Sequence, residues 1–315
     1  MTLPLDARIY VAGHRGMVGS AILRHLRAKG HVHLITRTSQ ELDLRNQQAV
    51  ELFFQQEQPE YVFLAAARVG GILANSTFPA DFSYDNLSIA LNVIHAAHKQ
   101  GVKKLLNLGS SCIYPRLAEQ PIKEEALLTG PLEPTNRAYA VAKIAAIELC
   151  DHYRTQHGRD FISAMPTNLY GPEDNYDLLG SHVLPALIRK MVEAREKKLP
   201  HVEIWGTGTP RREFLHVDDL AEACLFLMER FSAAGPINVG TGEDISIRDL
   251  AVLVQKVVGF EGQLVFDPTR PDGTPRKLLD VSRIQALGWS AKVPLEEGIQ
   301  HSVQWFVNHR AQARV

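Results

Sequence analysis

RIYVAGHRGMVGSAILRHLRAKG, residues 8–30, decides the fold. RIYVA (8–12) is a short apolar run, the pattern of a strand buried on both faces. From Met17 to Lys29, Val18, Ile22, Leu23 and Leu26 recur at helical spacing, and Gly30 stops the helix. Between strand and helix, Gly13, Gly16 and Gly19 spell G-x-x-G-x-x-G. Glycines there let the chain turn sharply and pack helix on strand, and they leave free helix N–H groups facing any phosphate that docks.

The same alternation continues outward. HLIT (33–36), YVFLAAA (61–67), KLLNLGSS (104–111) and FISAMP (161–166) read as strands, separated by helices over 47–56, 81–99 and 138–157. This predicts an α/β fold, a Rossmann-type doubly wound parallel sheet with ligands at the carboxyl ends of its strands. After residue 171 the rhythm loosens. A helix is expected near 182–197, a strand at VEIW, a strand–helix pair in REFLHVDDLAEACLFLMERF and a strand in INVGTG. Helix 246–258, strand QLVFD and helices near 282–287 and 295–308 follow. The expected division is a Rossmann domain of residues 1–171, to which 210–242 return, and a smaller C-terminal substrate-binding lobe of 172–209 and 243–315.

Composition narrows the function. Among 315 residues the formal net charge is -1, so no basic excess points to nucleic acid or an anionic membrane. No run of about 18 apolar residues predicts a membrane span. Three cysteines form neither a disulfide framework nor a metal-site spacing, and no metal is expected. The N-terminal stretch does not read as a signal peptide. The expectation is a cytoplasmic protein without nucleic-acid or membrane partners. Cys150 and Cys224 sit in apolar helical patterns and read as core.

The end of the second strand discriminates between dinucleotides. An NAD site places an acid there for the ribose 2′-hydroxyl. ITRTSQ offers Arg37 and no acid before Glu41, and Arg15 adds a cation in the glycine loop. Two cations favour a 2′-phosphate, hence NADP; the alternative for Arg37 is a solvated surface charge. Asp43 and Leu44 read as a wall for the adenine, and Ala65 to Ala67 leave room for a cofactor across strand three.

Tyr139 and Lys143 form Y-x-x-x-K, one face of a helix. An ammonium beside a phenol is expected to lower its pKa, so that the tyrosine exchanges a proton with an alcohol or ketone. Ser110 or Ser111, at the end of strand four, would hold the substrate oxygen, with Ser110 favoured. Cys112 in SSCIYP is by its spelling a small buried hydrophobe or a reactive thiol.

GHRGMVGS, GSSCIYP, the Tyr139/Lys143 pair, PTNLYGP (166–172), SHVLPALI (181–188), WGTGTPRREFLHVDD (205–219) and PDGTPRKLLD (271–280) together carry a resemblance. The chain resembles the GDP-4-keto-6-deoxy-D-mannose 3,5-epimerase-4-reductases of the extended short-chain dehydrogenase/reductase superfamily. The resemblance covers nearly the whole chain. It implies NADPH-dependent conversion of that ketone to GDP-L-fucose, with epimerisation at carbons 3 and 5 before reduction. By it, Ser110, Tyr139 and Lys143 would be the reductase triad, and Cys112 and His182 the base and acid of epimerisation. Gly13, His14, Arg15, Gly16, Met17, Val18 and Gly19, then Arg37, Ser39, Asp43, Leu44, Ala65, Leu108, Gly109, Ser110, Ser111 and Lys143, would hold NADP. Pro166, Thr167, Asn168, Leu169 and His182 would border its nicotinamide. Lys190, Trp205, Arg212, Asp272 and Lys277 would bind the nucleotide sugar. Ser39 departs from a relative within that family that has an arginine there, leaving Arg37 and Arg15 to meet a 2′-phosphate. A homodimer is implied through the helices over 81–99 and 138–157. The alternatives are an epimerase/reductase acting on a similar GDP-deoxy-keto-sugar, and a catalytically dead NADP-binding regulatory protein.

Overall fold

The computed structural model describes residues 2–178, 180–270, 272–311 and 313, so Pro271 of the PDGTPRKLLD block lies outside it. The glycine-flanked segment folds as β1 (Ile9–Ala12) and α1 (Met17–Ala28). There follow β2 (Leu34–Ile35), α2 (Gln47–Glu57), β3 (Tyr61–Leu64), α3 (Ile72–Thr77), α4 (Pro79–Lys99), β4 (Lys104–Leu108), α5 (Arg137–His157) and β5 (Asp160–Pro166). Then come β6 (Asn168–Tyr170), α6 (Val183–Glu196), β7 (His201–Trp205), β8 (Arg211–His216), α7 (Val217–Arg230) and β9 (Pro236–Val239). The chain ends with β10 (Asp244–Ser246), α8 (Ile247–Val258), β11 (Gln263–Asp267), β12 (Arg276–Lys277), α9 (Ser282–Ala286) and α10 (Leu295–Asn308).

Six strands form one parallel sheet in the order β2-β1-β3-β4-β5-β9. Every residue of β1, β3, β4 and β9 is buried, because helices cover both faces. One face carries α1 and α7, the other α2, α4 and α5. Each fully buried Leu, Ile, Val or Phe contributes about 1.5–3 kcal/mol to this sandwich. Local signals set the helix ends. Asn46 accepts from the Ala49 N–H at 3.1 Å to start α2, and Ser246 accepts from the Asp249 N–H at 3.0 Å to start α8. Gly158 stops α5 in the left-handed conformation, with φ +62°.

A second core joins α6, α8 and α10. Beside it stand a four-stranded sheet, in which β8 pairs with β6, β10 and β12, and the β7–β11 pair. Within 210–242 the strand β8 therefore lies in the small sheet, while α7 and β9 cover and extend the large one. Strands three and four end earlier than the apolar runs suggest, at Leu64 and Leu108. Past Leu108 the chain turns through a single 3-10 turn, Ser111–Ile113. Among the described residues no helix is long and apolar enough to cross a membrane, and no cluster of three or more His, Cys, Asp or Glu suits a metal.

Candidate active site

The glycine turn is a cradle that larger residues cannot form. Gly13 has φ +84°, and a Cβ there would stand 2.7 Å from the Ala66 nitrogen. A Cβ on Gly19 would stand 2.2 Å from the Gly13 carbonyl oxygen. Gly16 begins α1 in extended conformation without a side-chain cap, and the first turn holds no acid. Its N–H groups and dipole are thus open to an anion. In the same loop the His14 Nδ1 is buried with no hydrogen-bond partner among the described residues, and burial, aided by Arg15, lowers the imidazole below its usual range. Free N–H groups, a glycine cradle and an orphan ring nitrogen fit a dinucleotide pyrophosphate. Ala65 follows β3 beside this cradle, and Leu108, Gly109 and Ser111 lie at the carboxyl end of β4, the next strand. Met17 and Val18 open α1.

The ribose end differs from the sequence expectation. Arg37 is not an uncommitted cation: its guanidinium is ion-paired with Glu57 of α2, donates to the Thr36 carbonyl at 2.8 Å, and lies over the Phe53 ring. Glu41 folds back to accept from the Thr38 N–H at 2.7 Å, and Asp43 is engaged by Arg45 at 2.9 Å. Arg15 and Ser39 are exposed, and Leu44 is partly buried, its carbonyl accepting from Asn92 at 2.9 Å.

At the carboxyl ends of β4 and β5 the chemistry converges. The Cys112 N–H donates to Ser110 Oγ at 3.4 Å. The Lys143 ammonium donates to the Leu108 carbonyl at 2.7 Å and stands 5.7 Å from the Tyr139 ring centroid. The expectation of a lowered phenol is corrected here. Burial, with the Cys112 charge, pushes the Tyr139 phenol up, so the lysine does not lower it. Burial also pushes the Cys112 thiol up, against the pull of Lys277, the Ser110 hydrogen bond and Lys143. The cause of both is desolvation, which opposes any charge in this cleft. Burial takes Lys143 itself down to about 8.

His182 precedes α6 and is water-accessible but set deep among protein atoms; that setting, with Lys277, lowers its imidazole. Lys277, on β12, thus acts electrostatically on both Cys112 and His182, and its own ammonium is lowered by burial. Arg212 stands next to it on the paired strand β8 and feels Asp272 and Glu133. Lys190 and Trp205 form a second group: the ammonium lies 5.5 Å from the Trp205 ring, and Arg270 lies 4.9 Å from the same ring. Asp272 caps the adjoining turn, accepting from the Thr207 N–H and hydroxyl, each at 2.8 Å. Pro166 to Leu169 run from β5 into β6, where the Asn168 amide and Thr167 hydroxyl donate to the Glu213 carbonyl.

Sequence reasoning missed Glu213, Glu133 and Arg270. Glu213 is fully buried, and its carboxylate accepts from the N–H groups of Thr241, Gly242 and Leu279, tying β8 to the loops around the cleft. A lone acid inside REFLH carries no signal of that role. Glu133 pairs with Arg116 and borders the crevice beside Cys112 and Lys277.

A parallel sheet opened by a glycine turn, with a tyrosine–lysine pair on the helix at its carboxyl end, defines a Rossmann-fold oxidoreductase that works on a nicotinamide dinucleotide. Residues 9–240 match the NAD dependent epimerase/dehydratase family, and the chain belongs to that family. The chain is 59% identical over 308 residues to the probable GDP-L-fucose synthase 1 of Oryza sativa subsp. japonica, covering 98% of this chain and 94% of that one. It is 54% identical to the GDP-L-fucose synthase of Escherichia coli strain K12, over 98% of each chain. A crystal structure of a GDP-L-fucose synthetase from Naegleria fowleri bound to NADP superposes with a TM-score of 0.92 at 31% identity, over 100% of this chain and 98% of that one.

Proposed function

We propose that this protein converts GDP-4-keto-6-deoxy-D-mannose to GDP-L-fucose with NADPH, as the names of its relatives suggest. The observation that carries the reading is that Cys112 shares a crevice with Lys277, donates its N–H to Ser110 and is coupled by charge to Tyr139 and Lys143, while Lys277 also acts on His182. A plain alcohol dehydrogenase needs only the Ser110–Tyr139–Lys143 group; a second acid–base pair has a use when carbons flanking a ketone must be inverted.

Bound NADPH supplies the hydride. The chain's residues do the rest. Gly13 to Gly19 would hold the pyrophosphate, the exposed Arg15 is the cation of this loop left to meet a 2′-phosphate, and Pro166 to Leu169 would border the nicotinamide. Lys190, Trp205, Arg212 and Asp272 hold the GDP moiety. Cys112 and His182 exchange the carbon 3 and carbon 5 protons from opposite faces of the sugar. In the resting site the proton sits on sulfur and the imidazole is neutral, so the base form of Cys112 is reached by proton loss, which Lys277 favours. Ser110 holds the ketone oxygen. Tyr139 keeps its proton at neutral pH, as a donor to the oxygen must, and Lys143 restores it.

We assign residues 172–209 and 243–315 to the substrate lobe and the rest to the dinucleotide domain, with β8 shared between them. A homodimer through α4 and α5 is supported by an apolar face on that helix pair, on which Tyr84, Leu91 and Val141 are exposed. Three free cysteines, all buried, suit the cytoplasm. The deciding experiment is incubation with GDP-4-keto-6-deoxymannose and NADPH, followed by identification of the sugar. An unepimerised deoxy sugar, or no NADPH consumption, refutes the reading.

A further inference from the structure

The turn that follows β3 and the turn that carries His182 are joined by one backbone hydrogen bond. The Gly71 N–H donates to the Gly180 carbonyl at 2.9 Å. The fit is close, because a Cβ on Gly71 would stand 2.9 Å from the Ser181 oxygen and 3.3 Å from the Gly180 oxygen. On the far side, the Gly180 and Ser181 N–H groups donate to Asp177, and His182 follows directly. On the near side stands Asn75 of α3, 5% exposed. Its amide donates to the Gly70 carbonyl at 2.7 Å and the Gly71 carbonyl at 3.1 Å, while its own N–H also donates to Gly71. The root of the loop is fixed as well: Asn86 accepts from the Arg68 N–H at 2.9 Å and donates to its carbonyl at 3.0 Å. The helix α3 also packs against the 134–136 turn that leads into Tyr139.

We propose that Asn75 is a positioning residue for His182, acting through the Gly70–Gly71 turn and the Gly71–Gly180 hydrogen bond. This rests on the reading of Cys112 and His182 as the proton-exchanging pair. Gly70 and Gly71 are the residues of this loop with the widest backbone freedom, so without a clamp on both carbonyls their orientation is lost. The Gly71 N–H then no longer fixes Gly180, and His182 drifts relative to Cys112. Proton return to one face of an enolate tolerates little drift, since misplacement by about 1 Å can cost roughly 100-fold.

The test uses two full-length variants, Asn75→Ala and Gly71→Ala. The first removes the clamp. The second keeps it and pushes the 180–181 backbone away. Three quantities are measured: solvent deuterium uptake into GDP-4-keto-6-deoxymannose, NADPH affinity by fluorescence, and the titration of the His182 ring by NMR, assigned with His182→Asn. In both variants exchange is expected to fall 10- to 100-fold, NADPH affinity to stay within twofold, and the His182 titration alone among the histidines to move. Asn75→Ser, which keeps one donor, should give an intermediate loss and serves if Asn75→Ala does not fold. Unchanged exchange, or an unmoved His182 titration, overturns the proposal. So do losses of exchange, NADPH affinity and thermal stability in step, the mark of a merely structural residue. Absence of exchange in the unaltered protein would instead refute the catalytic reading, and the NMR arm would still decide the brace.

Discussion

Replacing Lys143 by methionine should leave the fold more tolerant of neutral pH while abolishing reduction. Lys143 is buried, and its pKa falls from 10.5 to about 8, with burial the cause and Cys112 pulling weakly the other way. At pH 7 the charge is held in the folded chain at a cost of about 3 kcal/mol, from 1.36 kcal/mol per pKa unit. The Leu108 carbonyl loses its partner in the variant, which gives back about 1–3 kcal/mol. The net change at pH 7 therefore runs from near zero to about 2 kcal/mol of stabilisation. The pH dependence isolates the charge. The folded state releases this proton near 8 and the unfolded state near 10.5. In that window the unfolded state binds more protons, and stability rises with pH. Between pH 7 and 9.5 the unaltered protein should gain about 2 kcal/mol over Lys143→Met. Urea titrations of both proteins at each pH, without ligand, measure the difference. Parallel stability curves, or a variant destabilised by well over about 1 kcal/mol at pH 7, would show that Lys143 is not held against its charge.

Three further outcomes follow from the site. In Gly19→Ala the added carbon meets the Gly13 carbonyl at 2.2 Å, and backbone cannot yield as a flexible side chain does, so NADPH affinity should fall about tenfold or more; an unchanged fluorescence titration would contradict the cradle. Tyr139→Phe should slow NADPH oxidation by about 100-fold or more with folding intact, because the proton for the ketone oxygen is gone; a near-native rate would remove Tyr139 from that role. In Lys277→Met a cation that lowers both Cys112 and His182 disappears, so both groups should titrate higher and the pH profile of deuterium exchange should move to higher pH; a profile that stays in place would show that Lys277 acts on neither.

Much of the fold was legible because its signals are local. The apolar run 8–12, the three glycines and the spacing of Ile22, Leu23 and Leu26 lie within one short stretch, and the structure keeps them as β1, turn and α1. The helix over 295–308 was readable to its ends, since one amphipathic face repeats without interruption. Several short elements were not readable, although β2 and α9 were. The six residues of α3, the two of β12 and the three each of β6 and β10 are too brief for a period to show. They exist because a neighbour pairs with them: β8 alone organises β6, β10 and β12.

The site divides along the same line. Residue types and spacings named Ser110, Tyr139 and Lys143 and left Cys112 open, and the resemblance added Lys277, but their charge states follow from surroundings that spacing does not show. Lys143 next to Tyr139 suggested a lowered phenol, yet the ammonium is turned to the Leu108 carbonyl and burial governs both groups. Arg37 looked like a phosphate ligand until α2 brought Glu57 against it, a partner twenty residues away that no local pattern announces. Glu213 is the extreme case: an ordinary acid in a strand, it becomes the buried acceptor for three backbone N–H groups from two separate segments. What a sequence states about a site is which chemistry is available. Which protonation state each group rests in is decided by how far the fold desolvates it: desolvation overrides the neighbouring charges at Cys112 and Lys143, and acts in the same direction as them at Tyr139 and His182. The cleft therefore favours the neutral forms of Cys112, Tyr139 and His182, while Lys143 keeps its charge at neutral pH and gives up its proton near 8, so that it is the group from which a proton is passed on.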